Sequence, residues 1–162
     1  MATIDQLCVA GLVQRVKGVL GPRQMAERKL FLLPEVGIWM RTNLPKLEAD
    51  GYVDGAVTPK QQSYQLFRDF VSGVDMFELD WHPKPLRPHD ASHGVWELRT
   101  PDLRFFGWFC QKGTFVVSDV ATKSELLENN SYSHFRERAV IVRNALALSE
   151  PKVILGEHHE VF

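Results

Sequence analysis

The sequence predicts an α+β fold: a curved, mostly antiparallel sheet in the order β-α-α-β-β-β, helices packed on one face, an added N-terminal helix and a C-terminal helix. Three observations carry this. Residues 95–99, 104–110 and 114–121 are rich in β-branched and aromatic side chains, and short turn-like breaks at 100–103 and 111–113 separate them, the pattern of an antiparallel meander. Upstream, Thr58-Pro59 with Gln61 forms a capping box with proline at the first helical position, and Gly73 supplies a matching stop. Finally, helices and strands come in runs rather than alternating, which favours α+β over a parallel doubly wound sheet.

The elements follow in order. Thr3 and Gln6 make a capping box ahead of Leu7, Leu12, Val13, Val16, Val19 and Leu20, so a first helix is expected over residues 4–20, stopped by Gly21-Pro22. Residues 29–33 are a short apolar run ended by Pro34 and read as a strand. A helical stretch over 35–43 carries Ile38, Trp39 and Met40 and is broken at Pro45. In the helix from Thr58 to Gly73, Tyr64, Phe67 and Val71, with Leu66 and Phe70 beside them, make the expected sheet-facing stripe. Residues 76–81 alternate as an extended segment. Residues 82–94 are proline-rich and read as an irregular connection. After the meander, residues 133–148 form a helix with Phe135, Ala139, Val142 and Leu146 on one face, and 153–155 read as a short strand. The organisation is one domain over 1–162: a helical extension at 1–26, a core at 27–148 and a tail at 149–162.

Composition narrows the function. Lys and Arg number 19 against 20 Asp and Glu, a net charge of -1, which counts against a strong, sequence-independent nucleic-acid binder and leaves room for a local basic patch. No apolar run approaches the ~20 residues of a membrane span, and no basic leader precedes the first helix, so a cytoplasmic protein with no membrane partner is expected. Cys8 and Cys110 read as core thiols.

Candidate chemistry sits mainly on the meander. Arg99 ends its first run, Arg104 begins the second and Lys123 follows the third. In an antiparallel meander these three positions share one rim, where they would form a phosphate site. The alternative for Arg104 is an ion pair with Glu97 or Asp102. His82, His89, Asp90 and His93 are metal-ligand types, but no spacing fixes their geometry, so no metal and no cofactor is expected. His134, beside Tyr132 and Arg136, is a candidate acid or base. The chain carries no GxSxG, P-loop or GxGxxG.

Over residues 27–148 the chain resembles the RelE/HigB-like toxin superfamily, in particular its phage-derived branch. The residues that carry the likeness are Val95-Trp96-Glu97-Leu98-Arg99, then Leu103-Arg104-Phe105-Phe106-Gly107-Trp108-Phe109, then Lys112-Gly113-Thr114-Phe115-Val116-Val117, then Thr122-Lys123-Ser124, with the helix bearing Ala139 and Arg143 after them. The chain departs from the family pattern in having Leu103 before the strand arginine and Lys123 alone where that pattern doubles the lysine.

The resemblance implies a curved sheet with helices on one side, metal-free cleavage of single-stranded mRNA, free or on the ribosome, and a cognate antitoxin over the basic face. Carried over to this chain, the catalytic set is Arg99, Arg104 and Lys123 for charge, with His134 or Tyr132 for proton transfer. Lys112, Arg136 and a stacking Trp108 or Trp96 would hold RNA. The competing expectation is a noncatalytic phage or prophage protein on the same fold that binds a host protein.

Overall fold

The computed structural model describes residues 1–49, 57–77 and 84–162. The sequence also predicts a loop over 51–57; all of it but Val57, the greater part of the extended run at 76–81, and His82 lie outside these residues. Six strands form one sheet among the described residues: β1 (Gln14–Arg15), β2 (Lys29–Leu32), β3 (Leu86–Asp90), β4 (Val95–Arg99), β5 (Leu103–Gln111) and β6 (Thr114–Thr122). Their order across the sheet is β1-β2-β6-β5-β4-β3. β2 runs parallel to β6, and every other pair is antiparallel. The meander therefore pairs in sequence order as expected, in an α+β fold with β5 and β6 at the centre.

Two strands were not anticipated. β3 crosses the proline-rich connection, with Pro88 opposite Trp96. Proline is tolerated there because β3 is an edge strand. β1 replaces most of the long N-terminal helix. The Thr3–Gln6 capping box does start a helix, α1 (Ile4–Val9), but the chain turns at Gly11, whose φ is 78°. Beyond the turn, Val16 N–H donates to Leu30 O, and Val13 and Val19 are buried. The apolar spacing that suggested a continuing helix is that of a segment laid along the edge of β2.

α2 (Pro34–Asn43) follows β2 and runs into a 3-10 turn at Leu44–Lys46 that contains Pro45. α3 (Pro59–Ser72) has the expected ends: Thr58 and Gln61 bond reciprocally, and Gly73 adopts the left-handed conformation. Its buried stripe is Leu66, Phe67, Phe70 and Val71, whereas Tyr64 is half exposed and its hydroxyl reaches Val19 O. Phe67 meets Phe105 edge-on, and Phe70 meets Phe109 and Phe115, so α3 covers the face carrying Phe105 and Phe109.

α4 (Lys123–Asn129) and α5 (Tyr132–Ala145) follow β6. α5 lies on the opposite face, where Phe135 stacks flat on Phe106 at 5.2 Å. Helices thus pack on both faces, not on one. The cause is in β5, which is buried on both sides: side chains alternate across a strand, and Phe105 and Phe106 each need a cover.

The last residues are not a loose tail. Ile154 N–H donates to Phe109 O, Gly113 N–H donates to Val161 O, and Val161 is fully buried within α6 (His158–Val161). Residues 153–155 form no strand. Phe162 lies 3.2 Å under the Arg28 guanidinium, whose Nη atoms also donate to Phe70 O, Gly73 O and Val74 O. Burial lowers the pKa of Arg28 to about 10. No helix among the described residues is long and apolar enough to cross a membrane.

Candidate functional site

On the α5 face the register makes two cross-strand rows. Arg87, Glu97, Phe106 and Asp119 stand opposite one another in turn, and Arg99, Arg104 and Ala121 form the row beside them. Leu103 pairs with Thr122, and Lys123 N–H donates to Asp102 O. The three rim positions expected from the sequence therefore do meet.

Their side chains differ in what they do. Arg104 is 4% exposed and its Nη1 donates to the carbonyls of Thr100 and Leu103, so the guanidinium ties down the β4–β5 turn instead of facing a ligand. The expected pairing of Arg104 with Glu97 belongs to Arg99 instead, whose Nε lies 3.7 Å from Glu97 Oε1 and donates to Lys84 O at 2.7 Å. Burial lowers the Arg99 pKa, Glu97 opposes this, and the like charges of Arg87 and Arg104 add to it.

Glu97 is the centre of the group. It is 1% exposed, in the middle of a sheet face, yet it carries a carboxylate. Arg87 Nε stands 3.3 Å from Oε1, and His89 Nδ1 stands 3.6 Å from Oε2. Oε2 has no hydrogen-bond donor among the described residues. His89 Nε2 lies 3.2 Å from Tyr132 O, and its ring packs against Phe106 and Tyr132. A carbonyl only accepts, so Nε2 carries a hydrogen. Nδ1 faces Oε2 beyond hydrogen-bond distance, while Arg87 and Arg99 stand on the Oε1 side of the carboxylate.

Other expected site residues lie elsewhere. Trp108 is fully buried with the Arg143 guanidinium over its ring, and Trp96 packs on Phe109 and Phe77, so neither can stack on a base. Lys112 is exposed in the β5–β6 turn, on the order of 25 Å along the strand from Arg104. Arg136 pairs with Asp90 at 3.7 Å. His134 is exposed on α5, on the Asp119 side. Asp119 is buried and bound by Arg138 at 2.6 Å; burial raises its pKa and Arg138 opposes the rise.

Asp90 accepts hydrogen bonds from Ser92 Oγ and from the His93 backbone, and its other oxygen is 2.8 Å from His93 Nδ1. With the Ser92 bond foremost, these hold its carboxyl at about 2. The described residues contain no group of three side chains able to hold a metal ion; His89 and the Asp90–His93 pair are turned to different partners.

The chain matches no family model, no curated protein and no solved structure.

Sequence reasoning missed Arg87, His89 and Glu97 as one site. The available signal was Glu97 itself, a charged residue inside the apolar run Val95-Trp96-Glu97-Leu98. A carboxylate buried on a strand requires partners, and cations from the neighbouring strands are the ones within reach.

Proposed function

We propose that this protein is a metal-free endoribonuclease of the RelE/HigB type, acting on single-stranded RNA in the cytoplasm, free or on the ribosome, and restrained by an antitoxin. The observation that carries the reading is Glu97, a buried carboxylate whose Oε2 lacks a donor among the described residues and faces His89, while Arg87 and Arg99 flank Oε1. Native proteins leave few buried acceptors unmatched, and a ribose 2′-hydroxyl is a donor that fits this one.

The chemistry is balanced without a cofactor. Glu97 takes the 2′-hydroxyl proton as the oxygen attacks phosphorus. The P–O5′ bond breaks, and His89 returns a proton to the leaving O5′, giving a 2′,3′-cyclic phosphate and a 5′-hydroxyl. Arg87 and Arg99 stabilise the charge that builds on the phosphorane. Tyr132, half buried beside His89, takes the base-stacking role first given to tryptophan. Arg104 and Lys123 support the rim.

The test uses the purified chain, chelator and a labelled single-stranded RNA, with and without ribosomes. Cleavage with cyclic-phosphate ends is expected, and a folded Glu97→Gln variant should lose activity by roughly 10²–10⁴-fold. A second reading has its own support. Glu97 is closed off and ion-paired with two arginines, and His89 is tied through Nε2 to Tyr132 O, as in a structural ion-pair network, which suits a noncatalytic protein that binds a host protein. Lack of cleavage in both conditions, with no growth arrest on expression, selects that reading.

A further inference from the structure

Glu97 is walled in by three groups of unequal mobility. Arg99 is held by Lys84 O and its side chain is 13% exposed. His89 is held by Tyr132 O and its side chain is 10% exposed. Arg87 differs: its side chain is 53% exposed, it stands on the outermost strand, and among the described residues it makes no hydrogen bond besides its ion pair with Glu97 Oε1. That strand shifts register between Pro88 and Asp90, next to Arg87, which loosens its ladder further.

We infer that Arg87 is a latch: its guanidinium covers Glu97 in the free protein and moves onto an incoming nucleic-acid phosphodiester, which exposes the carboxylate only when substrate is bound. This deepens the proposed function and rests on it for the identity of the substrate. The electrostatics favour the exchange. Arg87 and Arg99 share one carboxylate, and the like charges of Arg87 and Arg104 already weigh on Arg99. A phosphate diester brings a second negative charge to the arginine side of the cluster. Arg87 can reach it by side-chain rotation alone, and a planar guanidinium grips such a group through two donors. The departing guanidinium uncovers Oε1 and opens one side of the carboxylate whose other oxygen, Oε2, lacks a donor among the described residues, so binding and exposure of Glu97 are a single event.

The experiment follows the arginine Nε–H resonances of the full chain by NMR. Titrants are inorganic phosphate and a short single-stranded 2′-deoxy oligonucleotide, which carries the phosphodiester but no 2′-hydroxyl to cleave. The Arg87 and Arg99 signals should move with the oligonucleotide while Arg28 and Arg143 stay. Arg87→Ala should weaken that binding about tenfold, equivalent to ~1.4 kcal/mol; Arg87→Lys, which keeps the charge, should recover part of it. Carbodiimide labelling of Glu97, read by peptide mass spectrometry, should be faster in Arg87→Ala than in the parent protein.

An Arg87 signal that does not move, equal binding by Arg87→Ala, or unchanged labelling overturns the latch. Movement with inorganic phosphate alone overturns the nucleic-acid source. Oligonucleotide binding with all these effects but no RNA cleavage leaves the latch standing and rejects the ribonuclease reading. Cleavage at parental rate by Arg87→Ala overturns the latch and removes Arg87 from the phosphorane, and leaves the ribonuclease reading to Glu97, His89 and Arg99.

Discussion

Arg99 and Arg104 stand directly opposite one another on β4 and β5, yet one guanidinium serves a buried carboxylate and the other serves two backbone carbonyls. Sequence position makes them a pair, whereas packing separates them. Arg104 is covered on the sheet side by the β4–β5 turn it closes, and its Nε has no partner among the described residues. The rim is therefore asymmetric, with a carboxylate-paired cation on β4 and a carbonyl-bound one on β5.

This predicts the outcome of Arg104→Ala. Loss of a charge-assisted cap on the turn should cost about 2–3 kcal/mol. The denaturant midpoint should fall while activity per folded molecule is kept. A variant as stable as the parent but inactive would return Arg104 to the site.

Phe106 and Phe109 divide the two faces between them. Phe106 supports α5 through Phe135 and Tyr132, and Phe109 supports the α3 side through Phe70, Phe115 and Trp96. Each truncation to alanine should cost ~3–5 kcal/mol. Amide exchange should separate them: Phe106→Ala should first unprotect residues 132–145, and Phe109→Ala should first unprotect α3. Identical exchange maps would show that the faces open as one unit.

Gly107 sits at the β5 bulge, where a Cβ would run into the carbonyl oxygen of Val116 on the neighbouring strand. That oxygen belongs to the central ladder and cannot withdraw as a flexible side chain would. Gly107→Ala should therefore destabilise at the upper end of the ~1–3 kcal/mol range for overpacking, with the loss visible in urea unfolding. A neutral substitution would mean that the bulge can slip.

Much of the fold was legible because its signals are local. The meander announces itself by β-branched and aromatic runs with short breaks, and α3 by Thr58, Pro59, Gln61 and Gly73 acting over a few residues each. The failures are non-local. Val13, Val16 and Val19 have spacings that a helix also allows, and only contact with β2 decides against it. Pro88 looked like loop because the free edge that tolerates it depends on strand order. The site was half legible for the same reason. Arg99 and Tyr132 were visible as residue types, but Arg87, His89 and Glu97 become one group only after β3 pairs with β4.

The last prediction concerns acid. Asp90 holds the 3-10 turn between β3 and β4 through Ser92 and His93, pairs with Arg136 at the start of α5, and has its carboxyl lowered to about 2. An unfolded chain would titrate the same group near 3.9. Because the folded value is the lower one, the stabilisation is complete above about pH 4 and is lost as the pH falls toward 2. Between those limits Asp90→Asn should flatten the acid limb of the stability curve relative to the parent. The Asp90 carboxyl carbon, followed by NMR, should titrate below the ordinary aspartate range. An ordinary titration midpoint, or parallel acid limbs for the two proteins, would show that the Ser92 and His93 bonds do not persist in solution.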